Sequence, residues 1–186
     1  MLHNLLRLLA GLVLLALATT ALTVPRQAAA EPAKRHTFIP EGVVLLKQIR
    51  TYKRQTWKWQ RLMGERRSRA RDHTRVKNLA YRRWVRNVWH RRALRTWRRA
   101  KHPPQLAAWL CIHRHEGRWN DPNPPYYGGL QMDLAFQRRY GHDLLRKKGT
   151  ADKWTPLEQI WVAVRAYRSG RGFYPWPNTA RYCGLI

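Results

Sequence analysis

Acidic side chains are scarce in this sequence. Ten Asp and Glu stand against 37 Lys and Arg over 186 residues, a formal net charge of +27. That excess suggests an anionic partner, whether nucleic acid, anionic lipid or an acidic wall polymer, and says nothing about fold. Cysteine is almost absent: Cys111 and Cys183 allow one disulfide at most. The zinc-protease pattern H-E-x-x-H is missing. Between Pro40 and Pro103 there is no proline, and the only glycines are Gly42 and Gly64. A stretch so free of breakers predicts helix, entered after "IPEG" and interrupted near Gly64. Long apolar runs are missing too, with one exception at the start of the chain.

That exception is Leu8 to Val24, preceded by Arg7 and followed by Ala28-Ala29-Ala30. A short basic region, an apolar stretch and a small-residue site make a secretory signal, with cleavage expected after Ala30. An uncleaved membrane anchor is the alternative. The run is short against the roughly 20 residues that usually span a bilayer. The basic segment downstream would then favour a cytoplasmic C-terminus. In either case the expected location is secreted or envelope-associated. In an oxidising compartment the two cysteines predict a Cys111–Cys183 disulfide. It would close a loop of about 73 residues, for which chain entropy assigns about 4 kcal/mol.

Beyond the signal at residues 1–30, the sequence divides near residue 102. Residues 31–101 hold 23 Lys and Arg against four acids, and residues 102–186 hold 12 against six. The segment 31–102 is basic, rich in Trp and Arg, and expected to be helical. Its best amphipathic piece places Ala80, Tyr81, Trp84, Val85 and Val88 opposite Arg82, Arg83 and Arg86. Arg91, Arg92 and Arg95 then rotate onto the apolar side, so no regular coiled coil is expected. A solvated helical spacer is one role for this segment. A tether to anionic envelope polymer or lipid, with Trp at the interface, is a second. Nucleic-acid binding through Arg and Trp is a third, and export argues against it.

Residues 103–186 predict a compact, mainly α domain. Pro103-Pro104 opens a helix over "QLAAWLCIHRHE" that Gly117 ends. A long loop, "RWNDPNPPYYGG", follows. Asp133 caps a second helix over "DLAFQRRY", with Gly141 as its stop. In "TPLE", Thr155, Pro156 and Glu158 form a capping box for a third helix reaching about Arg168.

The stretch "CIHRHEGRWND" concentrates the reactive side chains. His113 and His115 are two apart, so on a helix they point about 200° from each other and cannot share one ion. No metal and no cofactor are predicted. A thiol nucleophile at Cys111 would have to stay reduced outside the cell. Glu116 remains. At the end of an apolar helix it meets the negative end of the dipole, which favours the protonated form and suits a general acid. Ala108 and Ile112 share its face, and Trp119, Tyr126 and Tyr127 follow it in the loop, as in a sugar cleft. A solvated glutamate at a helix end fits the residues equally well.

Glu116-Gly117, Trp119-Asn120, the run "YYGGLQMD" and the ending "TPLEQIWVAVRAY…SGRGFYPWPNTARYC" resemble the transglycosylase-like domain of resuscitation-promoting factors. The likeness covers about residues 105–184. It implies an α+β lysozyme-like fold and a peptidoglycan-cleaving enzyme. It carries the catalytic role onto Glu116 and cleft roles onto Tyr127, Gly128, Gly129, Leu130 and Gln131. Trp119 and Tyr126 are added from the aromatic loop. Two features depart from the family. Cys111 lies five residues before the glutamate rather than directly before it, and the run to Trp119 is short.

Most glycosidases use two carboxyls. Here Asp133 and Glu158 are expected as helix caps, and Asp143 and Asp152 lie in a basic region. Asp121 is the one candidate second acid. The mechanism expected is therefore a single-glutamate cleavage between N-acetylmuramic acid and N-acetylglucosamine, hydrolytic or anhydro-forming. The alternatives are a non-catalytic peptidoglycan-binding module and a basic envelope protein whose segment 31–102 binds polyanion.

Overall fold

The computed structural model describes residues 39–70 and 76–186. The expected export signal lies outside them. Two long helices come first, α1 (Glu41–Leu62) and α2 (Leu79–Lys101). Helix α1 stops where Gly64 takes a φ of 72°, so the breaker expected from the sequence acts as one. Asn78 caps α2, accepting from the Tyr81 amide at 2.9 Å.

The two helices run parallel. Near their starts Arg83 bonds both oxygens of Glu41, midway the Tyr52 and His90 rings lie 4.8 Å apart, and near their ends Arg99 pairs with Glu65. The start of α2 therefore sits beside the start of α1. Part of the connection lies against α1, where Ser68 bonds the Gln60 carboxamide at 2.8 and 2.9 Å and accepts from Trp57 Nε1.

The seam between them is more regular than the sequence pattern implied. Leu45, Ile49, Thr56 and Gln60 are buried on α1, and Val85, Trp89, Ala93, Thr96 and Ala100 on α2. The stripe on α2 continues through the arginine-rich part at intervals of three and four. Small residues take the buried positions there, which a hydropathy pattern does not register. Trp84, expected on the apolar side, is 58% exposed.

The remaining elements are α3 (Leu106–Glu116), a two-stranded antiparallel sheet of β1 (Tyr126–Tyr127) and β2 (Met132–Asp133), α4 (Leu134–Lys148), α5 (Pro156–Ala166) and α6 (Pro177–Tyr182). The chain is mainly α. The capping box forms as predicted: Glu158 N donates to Thr155 Oγ1, and Thr155 N donates to Glu158 Oε2 at 2.8 Å. Gly141 interrupts the helix as expected: its backbone is non-helical (φ −124°, ψ 18°), and α4 is two helical pieces that meet at a kink there, the second ending at Gly149 with φ 82°. The glycine also serves close packing, because a Cβ at Gly141 would lie 2.5 Å from the Trp154 ring. The helix α6 was not foreseen, although Pro177 at its first position marks it.

Aromatic residues build the core. Trp109 packs against Phe173 and Trp176, with ring centroids 4.8 and 5.4 Å apart. The four buried indoles of this core each have a partner for the N–H: Trp109, Trp154, Trp161 and Trp176 donate to the carbonyls of Pro104, Gly149, Ala100 and Leu130. Ala100 and Met63, at the ends of α2 and α1, are buried in this same core. Arg165 of α5 reaches across to the Leu62 carbonyl at 2.7 Å. The basic helix pair thus shares packing with the residues that follow it.

Candidate functional site

Glu116 is the last residue of α3, half-buried, and its Oε1 accepts a hydrogen bond from the Thr179 hydroxyl of α6. The contact depends on α6 lying against α3, which the disulfide enforces. Cys111 and Cys183 are joined, with their Cα atoms 6.1 Å apart. The bridge expected from the two lone cysteines is present, and it fits an oxidising compartment. Among the described residues, no helix is long and apolar enough to cross a membrane.

The loop after Glu116 folds back on itself. Asp121 Oδ2 accepts from Gln131 Nε2 at 2.9 Å, and Asp121 Oδ1 accepts from the Asn123 carboxamide at 2.6 Å. The carbonyl of Asp121 also accepts from the Gly128 amide at 2.9 Å. All three acceptor groups of Asp121 are therefore engaged in shaping the loop. A Cβ at Gly117 would lie 2.9 Å from Gln131 Nε2. The Gln131 carboxamide is in this way held beside the residue that follows Glu116.

The Gly128-Gly129 turn is fixed from below by Gln159, which is wholly buried. Its Oε1 accepts from the Gly129 amide at 2.9 Å, and its Nε2 donates to the carbonyls of Trp119, Ala151 and Trp154. One carboxamide so joins the glycine turn, the Trp119 loop and the entry to α5. Gly128 needs its freedom: φ is 75°, and a Cβ would lie 2.5 Å from Gln159 Oε1. Neither Gln159 nor Thr179 was singled out from the sequence. A glutamine directly before the apolar run "IWVAV" was the available signal for the first, and nothing local marks the second.

The residues expected to bind substrate separate into two groups. Tyr126 and Gln131 line a cleft of about 290 Å³, together with Asp133, Arg139, Arg171 and Trp176. The others face elsewhere. Leu130 is fully buried and belongs to the core, and Tyr127 packs on that core. Gly128 and Gly129 are buried in the turn. Trp119 gives one face to His113, with ring centroids 3.8 Å apart and planes 21° from parallel. Glu116 is not on the wall of this cleft.

The histidines separate as helical spacing required. His113 Nδ1 lies 3.2 Å from the Gly129 carbonyl, whereas His115 packs on Tyr182. Cys111, His115 and Cys183 bring their ligand-type atoms within 4.8 Å of one another. Both sulfurs are committed to the disulfide, so no thiolate pair is offered to an ion.

No family model matches this chain, and no curated protein or solved structure matches it.

Proposed function

We propose that this chain is an exported peptidoglycan glycosidase that cleaves the N-acetylmuramic acid–N-acetylglucosamine bond with Glu116 as its single acid. The reading rests on one observation. A half-buried carboxyl at the end of α3, steadied by Thr179, stands beside a structured glycine turn whose Gln131 also lines a cleft. Glu116 would protonate the glycosidic oxygen. The substrate's own N-acetyl group, or the dipoles of the cleft, would stabilise the oxocarbenium-like centre. The carboxylate would then activate water, or take the proton of the muramic C6 hydroxyl to leave a 1,6-anhydro end.

The Asp121 carboxylate already accepts from Gln131 Nε2 and from the Asn123 amide and carboxamide, which supports a loop-shaping role rather than that of a second acid. Gln131 supports the reading differently. Its Nε2 is fixed on Asp121 and on the Gly128 carbonyl at 2.9 Å. That leaves Oε1 as an acceptor for a sugar amide N–H. The resemblance to the resuscitation-promoting factor domain belongs to the same proposal, as does envelope location.

Mass spectrometry of soluble products from purified peptidoglycan tests this. Fragments one water lighter than ordinary muropeptides, absent with Glu116→Gln, identify a lytic transglycosylase. Ordinary reducing ends identify a muramidase. Activity retained in Glu116→Gln removes this residue from the role.

A second reading draws on a specific feature, the placement of Glu116 off the cleft wall with one oxygen already engaged. It is a glycan-binding module without turnover. Glycan retained by the protein with no soluble fragments is the outcome that selects it.

A further inference from the structure

A large cavity lies away from Glu116, where the ends of α1 and α2 meet α4 and α5. It measures about 1070 Å³, and nine Lys and Arg line it against two acids, Asp143 and Glu158. Arg54 and Lys58 come from α1, and Lys147 from α4. All three side chains are exposed. Trp57 and Trp59, both half-buried, supply aromatic surface between the cations. Cations at intervals with indoles between them suit a chain whose anionic groups alternate with sugar or polyol units.

Arg165 contributes the innermost charge. Its Nε donates to the Tyr140 carbonyl at 2.6 Å and its Nη1 to the Leu62 carbonyl. Among the described residues no carboxylate comes within ion-pair distance of it. Burial pushes its pKa down to about 10, with the more distant Asp143 opposing that shift. A desolvated guanidinium held by carbonyls alone gains from any anion that enters beside it.

We propose that this cavity binds a linear anionic glycopolymer, with its phosphodiester or uronate groups against the cations and its sugar or polyol units against the tryptophans. The site needs both halves of the chain, because α1 and α4 each supply cations. It differs in this from a tether confined to residues 31–102. It also stands independently of whether Glu116 cleaves glycan.

Calorimetric titration of the intact, disulfide-bonded protein tests the site with three probes: poly(glycerol phosphate), polygalacturonate and an oligothymidylate of matched charge. Arg54→Glu with Lys147→Glu is compared with Arg95→Glu plus Arg98→Glu. The second pair makes the same change in charge at exposed positions on α2 outside the cavity. The cavity pair should weaken binding of one glycopolymer roughly tenfold or more, and the outer pair less than about threefold. The responding probe shows whether phosphate or uronate is read. Equal losses in both pairs would mean that net charge alone holds the polymer, and the site falls. Tighter, cavity-dependent binding of the oligothymidylate overturns the proposal in favour of nucleic acid. Arg54→Gln with Lys147→Gln repeats the comparison without reversed charges, in case the double glutamate variant does not fold.

Discussion

Thr179 donates its hydroxyl hydrogen to Glu116 across a sequence separation of 63 residues. It is placed by α6, which the disulfide and the Trp109–Trp176 contact hold against α3. A carboxylate bonded by a hydroxyl is fixed in orientation, and the bond is charge-assisted. If Glu116 acts on substrate, Thr179 is a positioning residue. Thr179→Val should lower kcat on peptidoglycan about tenfold with little change in KM, the loss expected of one such bond. Thr179→Ser should restore most of it. An unchanged kcat in the valine variant would separate Thr179 from the chemistry.

Replacing Cys111 and Cys183 together by Ser should cost about 2–4 kcal/mol, read as a lower denaturation midpoint. The effect should extend beyond stability. Cys183 follows α6 directly, so the reduced chain loosens the helix that carries Thr179. If Glu116 cleaves glycan, that activity should therefore fall in the serine variant even at temperatures where circular dichroism shows it folded.

Gln159→Leu is nearly isosteric yet should be severe. It removes the donor or acceptor now facing the Gly129 amide and the carbonyls of Trp119 and Trp154, while the Ala151 carbonyl keeps the Trp154 amide. Stranding buried polar groups costs roughly 1–3 kcal/mol each where water cannot reach them. A loss of several kcal/mol in urea unfolding is expected, together with higher amide exchange at Gly129. A variant as stable as the parent would show that the glycine turn stands without this clamp.

Stability should also fall in acid through Glu158. Burial pushes its carboxyl up, but the Lys148 ammonium at 2.7 Å and the Thr155 amide outweigh this, and the net shift is downward. A carboxyl lowered on folding stabilises the native state above the unfolded value of about 4.3. That contribution disappears as pH falls through the lower native value. Glu158→Gln should therefore be less stable than the parent at pH 7, and the gap should close on acidification. A gap that persists at pH 2 would assign the loss to the capping box rather than to charge.

Much of the helical plan was legible because its signals are local. The Thr155–Glu158 capping box, the cap at Asp133 and the breaker at Gly64 each act within one turn, through backbone groups that neighbouring side chains satisfy. Gly141 was legible in the same way: it interrupts α4 at the expected place, and only the tertiary structure adds that its missing Cβ leaves room for the Trp154 ring. The candidate site was legible in part. Glu116 could be singled out from its place at a helix end, whereas its hydroxyl partner could not. Leu130 looked like a cleft residue because the sequence does not tell which side of a turn faces inward.

The sequence by itself determined the charge, the one possible disulfide and where most helices start, since these follow from composition and from contacts within a few residues. Tertiary structure decided the parallel course of α1 and α2, the burial of Leu130 and the meeting of Arg54 with Lys147 in one cavity. It also decided the pairing of Thr179 with Glu116. Each of these joins residues far apart in the chain. Such a contact is selected by the packing of the whole core, through indoles and carboxamides whose partners no local pattern specifies.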